Sequence, residues 1–175
     1  MSKYDFTLRF SLPLHERDMD DVADRLYGDG CDDALIGIGC PGGIALDFTR
    51  EAASAHAAVM SAIADVSAVI PGSQLVEVSP DLVGVTNVAD IVGCSRQNIR
   101  QLMISCAGSV PVPVHEGKQS LWHLASVLEW LVREKQYQIR ADLVDLAATN
   151  MRINLAMDAL RADSDTEDEL RVLFA

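Results

Sequence analysis

The sequence predicts an α+β protein, and three observations carry that prediction. A strict two-residue alternation opens the chain, helical spacing and short apolar runs then take turns to about residue 79, and the second half is mostly helical. The 175 residues suit one large domain or two small ones, and the 49% apolar share is enough for a real core. Charged residues make up 23%, an ordinary globular proportion that argues against wholesale disorder.

In Asp5 to Leu12, Phe6, Leu8, Phe10 and Leu12 share one face while Thr7, Arg9 and Ser11 take the other, the mark of a half-buried strand. Asp18 to Tyr27 carries Met19, Val22, Ala23 and Leu26 at helical spacing, with acidic residues in its first turn. Ala34 to Gly39 and Ile44 to Phe48 are short apolar runs around Cys40-Pro41-Gly42-Gly43, a hairpin signature. Glu51 to Val66 is Ala-rich and helical, Pro71-Gly72-Ser73 breaks the chain, and Gln74 to Val78 reads as a last strand. The resulting order, β-α-β-β-α-β, is the split unit of ferredoxin-like sandwiches and is assigned to residues 1–79. Ser79-Pro80-Asp81 marks a boundary, followed by a second unit at 82–131, one long helix at 132–161 and an acidic tail at 162–175.

A net charge of −12 argues against a general nucleic-acid coat or a membrane-surface protein, but its distribution is uneven. Residues 1–80 hold 5 basic against 13 acidic side chains, residues 81–134 hold 4 against 5, and residues 135–175 hold 5 against 8. Between Cys94 and His123, Arg96, Arg100 and Lys118 face Glu116 alone, so an anionic partner is expected there. No apolar run is long enough to span a bilayer and the first residues lack a secretory apolar stretch, which predicts a cytoplasmic protein with no membrane partner.

Cys31, Cys40, Cys94 and Cys106 show no Cys-x-x-Cys spacing and no nearby His pair, so they read as free thiols, with no metal and no cofactor expected. Nucleophile-elbow, zinc-protease, P-loop and dinucleotide motifs are all missing, and Cys40-Pro41-Gly42-Gly43 lacks the Lys and Ser/Thr of a phosphate loop. Asp20-Asp21 and Asp32-Asp33 read as helix-start charge and a solvated loop. No catalytic residue is predicted and the protein is not expected to be an enzyme.

The most specific stretch is Thr86 to Met103. Thr86 or Asn87 can cap a short helix with Val88, Ala89, Ile91 and Val92 inward, and Gly93 supplies the positive φ that ends it. Ser95 then caps a second helix with Ile99, Leu102 and Met103 inward and Arg96, Gln97, Asn98, Arg100 and Gln101 outward, a helix-turn-helix. Arginine pairs bidentately with guanine and Gln or Asn with adenine, and Ser95 with the free amides beside it suits a phosphate oxygen. Ser109 to Trp122 follows as two extended pieces around a polar Gly turn, a β-wing, and Leu124, Val127, Leu128, Trp130 and Leu131 open another amphipathic helix. Trp122 and Trp130 read as core residues rather than base-stacking platforms.

With Val88-Ala89-x-x-x-Gly93-x-Ser95-x-x-Asn98-Ile99, the Pro-Val-Pro-Val approach and the Trp122…Val127-Leu128-x-Trp130-Leu131 ending, this segment resembles the winged helix-turn-helix of phage excisionases and AlpA-type regulators, and more distantly the MerR superfamily. The resemblance covers about 50 residues and implies that Arg96, Gln97 and Arg100 read the major groove while Lys118, near the wing tip, touches the DNA backbone.

In the long helix, Ile139, Leu143, Leu146, Asn150, Ile153, Met157 and Leu160 recur at alternating spacings of 4 and 3, a heptad seam with Asn150 at an a position. The seam predicts a homodimer. Val144, Ala147, Ala148, Met151 and Leu155 broaden the apolar surface and support packing within the chain instead. The expected function is a dimeric, sequence-specific transcriptional regulator of double-stranded DNA, a repressor or antitoxin-like autoregulator, with the acidic N-terminal domain open to a protein partner. The alternative is an adaptor or antitoxin whose winged domain binds protein.

Overall fold

Alternation near the start builds the longest strand. In the computed structural model, which describes residues 1–16, 18–40, 42–162, 166 and 171–173, β1 (Ser2–Ser11) buries Tyr4, Phe6, Leu8 and Phe10 on one face. Asp18 caps α1 (Met19–Gly28) by accepting from the amides of Asp20 and Asp21, and Val22 and Leu26 face the sheet. β2 (Ala34–Cys40) and β3 (Gly43–Ala52) pair as a hairpin in which Gly42 takes a φ of 79°. α2 (Ala55–Val69) and β4 (Gln74–Ser79) complete an antiparallel sheet in the order β2-β3-β1-β4.

One helix start differs from the sequence expectation. Glu51 and Ala52 belong to β3, where they pair with Lys3 and Ser2, and α2 begins only after Ser54, whose Oγ accepts from the amide of Ala57. The Ala-rich composition carries the helical spacing back into the strand, and the ladder with β1 overrides it.

Helices α1 and α2 cover one face of the sheet. The opposite face is polar: Thr7 donates to Asp47 (2.6 Å) and Thr49 donates to Asp5 (2.8 Å) across the β1–β3 ladder. On the covered side, the guanidinium of Arg50 lies 4.9 Å from the Phe48 ring centroid and bridges Asp33 (2.7 Å) and Asp65 (2.6 Å). These carboxylates raise the Arg50 pKa above its ordinary value. Cys31 is fully buried beside them, and burial together with Asp65 pushes its thiol up to about 11.

A second hydrophobic cluster lies beyond β4. It gathers β5 (Leu82–Val83), α3 (Val85–Val92), α4 (Arg96–Ser105), β6 (Trp122–His123), α5 (Leu124–Lys135) and one side of α6 (Ala141–Arg161). Leu82 pairs with His123 and Val83 with Trp122.

The single helix expected over 132–161 is two helices. α5 ends at Gln136, which adopts a left-handed φ of 52°, and the chain re-enters a helix at Ala141. Between them Tyr137 and Ile139 pack against the second cluster, which a continuous helix would carry past it. At the restart, the Arg140 guanidinium pairs with Asp142 and holds that carboxylate below its usual range, while Asp142 accepts from the amide of Leu143 (2.9 Å).

The heptad seam faces inward. Ile139 and Leu143 pack on the second cluster, Leu146 is buried in the first, and Ile153 and Met157 rest on the first. Asn150 is fully buried and donates to the carbonyl of Pro80 (3.1 Å). Of the seven seam residues only Leu160, 80% exposed, stays open to a second helix. A 3–4 spacing is the same whether the covering surface is another chain or this chain's own cores, and here the two cores take it between them.

Asn154 does the work at the junction. Its Oδ1 accepts from the Val78 amide (2.8 Å), and its Nδ2 donates to the Val78 carbonyl (2.8 Å) and to Asp81 (2.7 Å). Asp81 is itself buried, within 2.7 Å of His123 Nδ1, and its carbonyl accepts from Leu124. The amide side chain thus supplies the pairing that β4 lacks at its outer edge. Of the acidic tail, most residues lie outside those described.

Candidate nucleic-acid interface

The site is built on the α3–α4 pair. The cap of α3 is Gly84 rather than Thr86 or Asn87, because the chain enters the helix directly from β5. Asn87 sits in the first turn and accepts from the Gly84 amide (3.2 Å), leaving Thr86 exposed. Gly93 ends α3 at φ 71°, ψ 35°, with no atom near enough to obstruct a side chain, so its requirement is conformational.

Ser95 Oγ accepts from the amide of Asn98 (3.1 Å) and fixes the start of α4. Ile99 and Met103 anchor α4 in the second cluster beside Val88 and Ala89. Ser95, Arg96, Gln97, Asn98, Arg100 and Gln101 are all exposed, as is Lys118. The apolar residues hold the helix down and the polar ones cover its outer side.

Lys118 comes from a loop that the two tryptophans hold. Trp122 Nε1 donates to the carbonyl of Pro111 (2.9 Å) and Trp130 Nε1 to Ser109 Oγ (3.1 Å). Both rings are buried, at 8% and 1% exposure. Farther out, the Leu121 amide donates to the His115 carbonyl (2.9 Å) and the Val114 amide to the Leu121 carbonyl (2.8 Å). This short ladder closes the loop and returns Lys118 towards α3 and α4.

Arg96, Arg100 and Lys118 therefore line one groove of about 380 Å³ with the first turn of α3, Gln119, Ser120 and Trp122. Among the described residues, no carboxylate lines it. Arg96 and Arg100 also border the outer side of α4 together with Gln97, Gln101 and Ile104. Arg96 and Arg100 make no ion pair or side-chain hydrogen bond among the described residues, whereas Arg9, Arg25, Arg50, Arg133, Arg140, Arg152 and Arg161 all do. The arrangement can neutralise an anion that runs across both surfaces.

Sequence reasoning missed Thr86 and Ser120 in the groove, and Ile104 on the outer side of α4. Thr86 reads from sequence as a candidate helix cap, whereas the cap is Gly84 and Thr86 lines the groove. Ile104 was countable from the helical register, since it follows Gln97 by seven residues and Arg100 by four.

No helix among the described residues is long and apolar enough to cross a membrane. Comparison with protein-family models, with curated proteins and with solved structures finds no match for this chain.

Proposed function

We propose that the chain is a sequence-specific DNA-binding transcriptional regulator of the cytoplasm. It uses α3 and α4 as a helix-turn-helix and the 109–121 loop as its wing, behind an N-terminal domain of ferredoxin-like type. One observation carries the reading: in a chain of net charge −12, Arg96 and Arg100 are left unpaired and meet Lys118 in a groove free of carboxylates. Cations kept from internal partners are suited to an external anion, and phosphate is the anion that a helical pair with a wing commonly meets. Arg96, Gln97, Asn98, Arg100 and Gln101 face the bases, and Lys118 with Ser95 holds the backbone.

The heptad surface of α6 is used inside the chain, so each copy presents one recognition helix to one half-site. With three cations at the interface, the expected slope of log affinity against log salt is shallow, about −2 to −3. Discrimination then rests on the bases. The polar, acidic sheet face takes no part in this contact and is left to a protein partner of basic character.

Capture of fragmented genomic DNA on the purified protein, followed by sequencing, tests the reading. A variant with Arg96→Ala, Gln97→Ala and Arg100→Ala runs beside it. A small set of fragments sharing a half-site, enriched by the wild type and lost in the variant, is the expected result. Equal, flat recovery by both at low salt overturns it and directs the search to a protein partner of the same face.

A further inference from the structure

Ile104 is 66% exposed on α4, on the side that carries Gln97, Arg100 and Gln101 and away from Ile99 and Met103. It therefore adds little to the core, yet it is the one apolar side chain on an otherwise cationic and amide surface. Major-groove base edges present donors and acceptors, with one apolar group among them, the C5 methyl of thymine. We infer that Ile104 reads that methyl, an inference that rests on the DNA-binding reading above. It makes Ile104 a specificity-determining residue whose neighbours Arg96 and Arg100 favour guanine or phosphate.

The helix rise sets where the thymine falls. Ile104 lies about 6 Å farther along α4 than Arg100, given a rise of about 1.5 Å per residue. For a helix lying along the groove this is close to two base-pair steps of about 3.4 Å. Gln101 stands between them and suits an adenine. The half-site thus has a direction: positions under Arg96 and Arg100 lead, and an A·T-rich end lies under Gln101 and Ile104.

Selection from a random duplex pool, with the wild type and with Ile104→Ser, provides the test. Each thymine of the selected site is then replaced singly by uracil, which lacks only the methyl. The expected result is one position where uracil weakens wild-type binding roughly fourfold, about the worth of one buried methyl. At that position Ile104→Ser binds thymine and uracil equally and keeps its preferences elsewhere. Ile104 is exposed enough that the serine variant remains folded.

If uracil is tolerated everywhere, or costs both proteins the same, Ile104 reads no methyl and the proposal falls while DNA binding stands. If the wild type enriches no sequence at all, the DNA-binding reading falls and takes this one with it.

Discussion

The sheet and the α3–α4 pair use arginine in opposite ways. In the sheet half, Arg9 pairs with Glu77 (2.8 Å), Arg25 with Glu16 (2.6 Å) and Asp21 (3.0 Å), and Arg50 with Asp33 and Asp65. In the α3–α4 pair, Arg96 and Arg100 touch no carboxylate, although acidic residues outnumber basic ones 26 to 14 over the whole chain. The contrast teaches that an acidic protein can keep cations available only by clearing carboxylates from around them. Paired arginines serve the fold, and unpaired ones are left for something outside it.

The comparison can be broken from either side. The largest effect belongs to Arg50→Ala, which strands Asp33 and Asp65 and removes the guanidinium from the Phe48 ring. Urea unfolding is expected to show a loss of about 2–3 kcal/mol, with the DNA captured by the folded fraction unchanged. A loss under about 0.5 kcal/mol would show that its pairing is as dispensable as a surface ion pair.

Next comes Asn154→Leu, which strips the Val78 amide and carbonyl of their side-chain partner and leaves the buried Asp81 with His123 alone of its two side-chain partners. The expected cost is about 2 kcal/mol, and both halves lose stability together. Hydrogen exchange that rises in β4 alone would contradict that coupling.

A pH effect follows from Cys31. Its thiol holds a proton up to about 11 in the folded chain against 9.0 ordinarily, so the unfolded chain releases its proton first as pH rises. Stability therefore falls between pH 9.0 and about 11, and Cys31→Ala flattens that part of the curve. An unchanged curve in the variant would place the loss elsewhere.

The smallest effect on stability is expected from Arg96→Ala with Arg100→Ala. With no internal partner to lose, the double variant should unfold within about 0.5 kcal/mol of wild type while its DNA capture disappears. A stability loss comparable with that of Arg50→Ala would erase the distinction between the sheet and the α3–α4 pair.

Local signals carried much of this molecule. The alternation of Phe6, Leu8 and Phe10 predicts β1, Gly93 and Ser95 predict the turn between α3 and α4, and the inward set Ile99 and Met103 predicts which side of α4 stays polar. Long-range partners were illegible for a physical reason. Periodicity says that a helix face will be covered but not by what, so the α6 seam reads from sequence as a dimer surface although the chain itself covers it. The stop at Gln136 has no Gly or Pro to announce it, because Tyr137 and Ile139 turning into the second cluster decide it. Likewise, the groove joins Thr86, Arg100 and Lys118, which no spacing rule brings together.

Leu146 and Ala147 are consecutive in the chain, yet one is buried in the sheet core and the other in the helical core. A helix shared in this manner is a common wall, and neither room stands after it is removed. The two cores should melt as one cooperative unit, with a single calorimetric transition.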